Sequence, residues 1–501
     1  MRHKDGIHLL TYILLLLPVV YIGWRCLNYT SGVLPDSDAA IFVNIAHHLI
    51  NGKVLYRDVW DHKQPVIFLI NALALKLGDG TFNSIRVAER YFAICAAFAF
   101  FVITARTFIS SWITAIFTIL FLIYFYSPLT FTMGNFTEEY ASVFMLFGIL
   151  YTLESIRQKS TALIILSGIF FSVSVFTKEP FLLSALPWIV YLMAKKEGRP
   201  KKLLYLAVGS VLPLIIAIIY FIHTETLNNW LNVIYFNLAA SKYGLVHTSA
   251  ISERIAASVN IFTKLVLFAR TVDIFFAAGV ISVFQRSFVR EYKHIPVVIV
   301  LWFIMSLIAV NIQNNHFNHY YIQVVPGFIM AAASGAAFLM FNLRRVAGRI
   351  TSTVSIFAVL ILSVIIFDRD IAKTAYDMIT SEALTVADEP IAIYIKEHTQ
   401  KSDAIWVPSY DKYIYLQSGR LSPTKYLFMF PHIFITPTMN ETSEEKLRCL
   451  REDLQRNPPV FIFITHLTEL DYLGPAGIPQ WINNNYTLDS TWYNGLLLRK
   501  T

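Results

Sequence analysis

Hydrophobic positions in this chain come in long unbroken blocks, separated by short polar connections. The blocks fall at 7–28, 88–106, 111–127, 138–155, 160–177, 180–194, 203–222, 260–283, 295–311, 320–341 and 350–367. A helix needs ~20 mostly apolar residues to cross a bilayer, so the longer blocks span outright and the shorter ones need flanking residues to complete the crossing. The pattern predicts about eleven transmembrane helices. Residues 66–78 (VIFLINALALKLG) are apolar but too short to cross, and read as a helix lying in the interface or re-entering beneath protein cover. A helix is also expected over Ala39–Leu49, and 223–259 reads as a loop excursion with Trp230, Tyr235, Lys242, Tyr243 and His247.

After Asp368 the blocks stop. EPIAIYIKEH has the period of a helix, DAIWVPS and PVFIFIT read as strands, and YTLDSTWYNGLLLRK as a strand pair broken at Asn494 and Gly495. The expected fold class is therefore a multispanning α-helical membrane protein over 1–367, carrying a small α/β domain over 368–501.

Composition agrees. The 501 residues are 56% hydrophobic and only 15% charged, whereas soluble domains are about 25% charged. The 39 Phe and 26 Tyr suit lipid-facing surfaces and interfacial belts. A net charge of +8 invites a nucleic-acid partner, but the basic residues are dispersed in short connections instead of lining a groove, which excludes that class. With the N-terminus inside, Arg106, then Arg157 and Lys159, then Lys195, Lys196, Arg199, Lys201 and Lys202, then Arg286, Arg290 and Lys293, and finally Arg344, Arg345 and Arg349 all fall on one face. The positive-inside rule makes that face cytoplasmic. The opposite connection, Asn311–His319, holds no Lys or Arg, and the long first loop, 29–87, is exempt from the rule by its length. An odd number of spans then puts residues 368–501 outside. Cys26, Cys95 and Cys449 have no metal or redox spacing. Asn28, Asn135, Asn440 and Asn485 each head an N-x-Ser/Thr triplet.

Candidate chemistry gathers in the outer loops. The first, LPDSDAAIFVNIAHHLINGKVLYRDVWDHKQPVIF, holds Asp36, Asp38, Asp58 and Asp61 with Lys53, Arg57, His62 and Lys63. Asp38 has two readings: a cap for the helix that follows, or a general base for an attacking hydroxyl or amine. Asp36 and Asp38 together invite a divalent cation, although two carboxylates are a thin ligand set. The stretch YRDVWDHKQP is either an interfacial loop laced by ion pairs or a cationic site for a phosphate leaving group. Lys63 stands just before the 66–78 segment as a point charge suited to phosphate. Glu138 and Glu139 begin a span, and Lys178 and Glu179 join two short ones; ionisable groups at membrane depth normally face protein or water. In HFNH, His316 and His319 share an i,i+3 spacing beside Tyr320, Tyr321 and Gln323. Zinc lacks a third ligand there, leaving aromatic packing or contact with a phosphorylated lipid. There is no phosphate-binding Gly-rich loop and no dinucleotide fingerprint.

DSDAAIF, GKVLYRDVWDHKQPVIF, GNFTEEYA and NHYYIQVVP together resemble the GT-C glycosyltransferases of the protein O-mannosyltransferase and lipid A aminoarabinose-transferase type, over roughly 30–340. YLQSGRLSPTKY resembles the outer-face domain found in some of them. The resemblance implies a GT-C fold in a bacterial inner or plasma membrane. It also implies a polyprenyl-phosphate sugar donor, a lipid, glycan or protein acceptor, and inverting transfer. It assigns the transfer acid to Asp38, with Asp36 as alternative, because the family's frequent Asp-Glu pair is here Asp38–Ala39. Lys63 matches the lysine of a Lys-Pro-Pro motif, with Gln64 in place of the first proline. Glu138 falls near a further acidic position, and His319, Tyr320 and Tyr321 near the donor-phosphate region; Arg57, His62 and Lys178 complete the expected donor site. No cofactor is implied, with a divalent metal at Asp36 and Asp38 kept open. The competing functions are a lipid-linked sugar transporter or flippase, against which the absence of an internal repeat counts, and a non-enzymatic polysaccharide-assembly protein.

Overall fold

The computed structural model describes residues 2–35, 37–108, 111–194, 199–243, 251–267, 270–312, 317–409, 411–427, 434, 436, 438–439, 441–465, 467–492 and 495–501. Asp36, Lys195, Lys196, His247, His316, Asn440 and Asn494 lie outside the described residues.

The chain is predominantly helical. Among the described residues six helices are long and apolar enough to cross a membrane: Thr11–Thr30, which begins within α1 (Arg2–Arg25), α4 (Phe82–Thr107), α6 (Thr137–Gln158), α9 (Arg199–His223), α14 (Ile295–Ile312) and α15 (Val325–Ala347). Shorter apolar helices include α5 (Ser111–Phe125), α7 (Thr161–Thr177), α8 (Phe181–Ala194) and the middle of α16 (Arg349–Phe367). The long first loop contains α2 (Ser37–Ile50) and α3 (Val66–Leu77). Asp38 is thus inside the first turn of α2, not in the cap position before it.

Two further helices complete the loop excursion at 223–259: α10 (Leu227–Tyr243) and α11 (Ile251–Leu267). The apolar block at 260–283 is not one helix. It divides between α11 and α12 (Arg270–Ser282). The first amides of a helix lack intrahelical partners, and here a distant carboxylate supplies them: Asp368 accepts from the Arg270 N–H at 2.7 Å and the Thr271 N–H at 2.9 Å. α12 then packs directly on α15. A side-chain carbon on Gly279 would meet the Ala331 carbonyl, and one on Gly335 the Phe275 carbonyl, so small residues set that approach. A short helix, α13 (Arg286–Glu291), leads into α14.

After α17 (Arg369–Thr380) comes a mixed region. It contains α18 (Pro390–Glu397), α19 (Tyr413–Ser418), α20 (Ser443–Arg456) and α21 (Ile478–Asn485) around β1 (Ile405–Trp406), β2 (Phe461–Ile464), β3 (Tyr486–Trp492) and β4 (Gly495–Lys500). The strand order is β1-β2-β4-β3, with β1 and β2 parallel and the other pairs antiparallel. β2 is buried along its whole length, which accounts for its unalternating FIFI. This sheet does not keep a core to itself. Ile41, Trp60 and Phe68 of the first loop share one hydrophobic cluster with Trp406, Tyr426 and Leu450, while a second cluster, including Phe100, Trp188, Trp302 and Phe328, lies among the apolar helices.

Candidate active site

The first loop turns at Tyr56, whose φ of 66° is left-handed, and is pinned where the Trp60 N–H donates to the Lys425 carbonyl at 2.8 Å. Beyond that pin, the backbone around Lys63 is held from several sides. The Lys63 N–H donates to Asp61 Oδ1 at 2.8 Å, and the Tyr56 hydroxyl donates to the Lys63 carbonyl at 2.8 Å. Asn237 of α10 donates to the His62 carbonyl at 2.9 Å. Gln64 donates to Glu179 at 2.9 Å and accepts from the Trp230 indole at 3.2 Å. The Lys63 ammonium itself makes neither a hydrogen bond nor an ion pair with the described residues.

Asp38 is the matching case. It is half-buried, and its carboxylate likewise has no hydrogen bond or ion pair among the described residues. It lies close enough for its charge to act on both Asp61 and His319. Lys63 acts on Asp61, His319 and Glu138. The two uncompensated charges therefore border one cluster.

Inside the cluster, charge is paired. Glu138 and Lys178 form a buried ion pair at 2.9 Å, and the Lys178 ammonium stands 4.5 Å over the Tyr320 ring. Burial works against the Lys178 charge, but the Glu138 carboxylate prevails and holds its pKa above the usual range. His319, in the turn Asn318–Gln323, stacks on Phe136 with centroids 4.2 Å apart and meets Tyr320 edge-on at 4.9 Å. Burial lowers the His319 pKa, against the opposing pull of Glu138 and Asp38. Asp61 is buried, and burial pushes its carboxyl up to about 7, the nearby Lys63 charge pulling the other way and Asp38 adding to the rise.

The structure thus brings together Asp38, Lys63, Glu138, Lys178, His319 and Tyr320. Other expected residues have different surroundings. Arg57 is largely exposed and bound twice by Asp58, at 3.0 and 3.2 Å. His62 packs its ring against Phe236 at 5.9 Å, with Nδ1 3.5 Å from Asp61. Tyr321 is fully buried. Glu139 is buried beside Glu89 and Arg86 instead of Lys178. Among the described residues no group of three or more His, Cys, Asp or Glu gathers into a metal site, and Asp36 is not among them. The triplets at Asn28 and Asn135 are buried.

Asn44 and His48 of α2 escape a motif reading. Asn44 donates to the Ala40 carbonyl at 2.8 Å and to the Lys412 carbonyl. The His48 Nδ1 bonds the Asn44 carbonyl at 2.7 Å, and Nε2 accepts the Ser422 N–H at 3.0 Å. Those partners require the neutral tautomer protonated at Nδ1, and burial lowers its pKa to about 3. The helix that carries Asp38 is thereby fastened to the C-terminal region. The i,i+4 spacing of Asn44 and His48 was the available signal, since it places both on one face.

Fold and site together define a multi-pass α-helical membrane protein whose long first loop, fastened to the C-terminal α/β region, borders a cluster of acids, cations and aromatic rings. The fold is similar to the crystal structure of ArnT from Cupriavidus metallidurans bound to undecaprenyl phosphate, with a TM-score of 0.61, 13% identity and 97% of each chain covered. ArnT from the same organism in the apo state gives a TM-score of 0.54 at 12% identity, over 99% of this chain and 98% of that one. No protein-family model and no curated protein matches the sequence.

Proposed function

We propose that this chain is a membrane glycosyltransferase of GT-C type. It moves a sugar from a polyprenyl-phosphate donor to a lipid, glycan or protein acceptor at the outer face of a bacterial inner membrane. The observation that carries the reading is the pair of uncompensated opposite charges, Asp38 and Lys63, on the border of the Glu138–Lys178–His319 cluster. The full-length fold likeness to a protein solved with undecaprenyl phosphate supports the donor class. α1, α4 to α9, α12 and α14 to α16 serve as the eleven spans, with the N-terminus inside, which puts the whole cluster outside.

Transfer needs a proton acceptor and a stabilised leaving group. Asp38 takes the proton of the acceptor hydroxyl or amine as that atom bonds to the anomeric carbon, and the carbon–oxygen bond to phosphate breaks on the opposite side. The departing polyprenyl phosphate keeps the electron pair, and Lys63 neutralises it as a point charge on a fixed backbone. Lys178, already balanced by Glu138, adds a second cation at little net charge. Direct displacement inverts the anomeric centre.

Reconstitution with a panel of polyprenyl-phosphate sugars, read by mass analysis of released lipid phosphate and modified acceptor, tests this. Folded Asp38→Asn is expected to lose at least about a hundredfold in turnover, the scale of removing a general base. Near-wild-type turnover by that variant would sink the assignment, and lipid movement across sealed vesicles without sugar transfer would replace it with the flippase reading.

A further inference from the structure

Asn135 lies in the connection between α5 and α6, three residues before Glu138, with a left-handed φ of 58° and no exposed surface. Three of its polar groups go to three different helices. The backbone N–H donates to Glu89 of α4. The side-chain amide donates to the Ala39 carbonyl in the first turn of α2 at 3.3 Å, and its oxygen accepts from the Tyr140 hydroxyl of α6 at 2.9 Å. Arg86 extends the brace: it pairs with Glu89 at 2.9 Å and donates to the Met133 carbonyl at 2.6 Å and the Val33 carbonyl at 2.9 Å.

These bonds join two chain segments that carry different parts of the cluster. Ala39 follows Asp38 directly. Phe136, which stacks on His319, and Glu138, which pairs with Lys178, follow Asn135 on the same turn. One side chain therefore links the acid on α2 to the segment that carries the Glu138–Lys178 pair. We propose that Asn135 is a positioning residue for glycosyl transfer, holding Asp38 in register with the donor-phosphate cluster without touching substrate. The proposal rests on the glycosyltransferase reading above.

Backbone strain and side-chain bonding separate cleanly at this position. Glycine adopts the left-handed conformation freely, so Asn135→Gly keeps the turn and removes only the bonds to Ala39 and Tyr140. Tyr140→Phe keeps the ring and removes the one hydroxyl that fixes the amide. Full-length protein reconstituted with the polyprenyl-phosphate sugar that wild type uses gives turnover and donor KM for both variants and for Asp38→Asn. Misplacing a reacting group by ~1 Å costs about a hundredfold, so Asn135→Gly is expected to lose ~10- to ~100-fold in kcat with donor KM changed by less than about threefold. Tyr140→Phe should move kcat the same way by less. Wild-type kcat in Asn135→Gly, or a loss that merely tracks the folded fraction, overturns the positioning role while leaving the enzyme reading intact. Should Asn135→Gly not fold, unchanged kcat in Tyr140→Phe overturns it. Wild-type turnover in Asp38→Asn overturns the enzyme reading and this proposal together.

Discussion

Two groups of charge lie within a few residues of each other in this molecule, and they are built on opposite principles. Arg86 and Glu89 answer each other: guanidinium to carboxylate, guanidinium to two carbonyls, carboxylate to the Asn135 backbone N–H. Around Glu138 and Lys178 one pair is answered, but Asp38 and Lys63 on its border are left without partners among the described residues. A partly buried charge without a partner is desolvated for no stabilising return. Paired charge fixes the fold; spare charge in a fixed frame is what a charged ligand requires, and real proteins break local rules mainly where they function.

The comparison breaks first at the Arg86–Glu89 pair. Removing one partner of a buried ion pair costs about 3–5 kcal/mol because the other is stranded. Glu89→Ala is therefore expected to unfold at markedly lower temperature or to fail to accumulate in the membrane. A Glu89→Ala protein with wild-type thermal stability and wild-type activity would show that the brace is ornamental. Next in size is the spare group. Hydrogen bonds to charged groups contribute about 1.5–3 kcal/mol, so Lys63→Ala should weaken donor use by roughly tenfold to a hundredfold. Its melting temperature should stay within the scatter of wild type, since the ammonium bonds nothing described. Unchanged donor KM rejects phosphate recognition; a large loss of stability would mean the charge is not spare.

Much of this contrast was legible in the sequence, and the remainder has a physical reason for being hidden. Blocks of apolar residues announce helices because lipid demands them, and the helix over 66–77, the strands at 405–406 and 461–464 and the terminal strand pair follow from period and length. The division of the 260–283 block was not legible, because the group that starts α12 is Asp368, nearly a hundred residues away in sequence. In the site, Asp38, Lys63, Glu138 and Lys178 could be nominated as charges out of place near lipid. Which of them is paired could not, because Glu138 meets Lys178 only through the packing of α6 on α7. Arg86 and Glu89 carry the same signal, ionisable residues at the head of an apolar block. Arg57 is equal to Lys63 in sequence terms, and only the fold pairs it with Asp58.

The smallest and sharpest effect concerns Asp61, which decides how spare Lys63 really is. Burial raises its carboxyl to about 7 from an ordinary value near 3.8. For an acid raised on folding, the native state holds the proton more tightly than the unfolded chain. Its contribution is therefore fully favourable below about pH 4 and is lost as pH rises through about 7. Asp61→Asn removes the titration, so its stability relative to wild type should improve steadily between those limits and level off above them. In the proposed enzyme the same proton acts on donor binding. Ionised Asp61 sets a negative charge beside the Lys63 amide and draws on the field that a donor phosphodiester would feel. Donor KM of wild type should accordingly rise as pH passes about 7, whereas that of Asp61→Asn should stay flat. A phosphodiester does not itself titrate there, so the slope belongs to the protein. Equal slopes in the two proteins would mean that Asp61 does not tune the lysine, and that the spare charge of Lys63 is set by its held backbone alone.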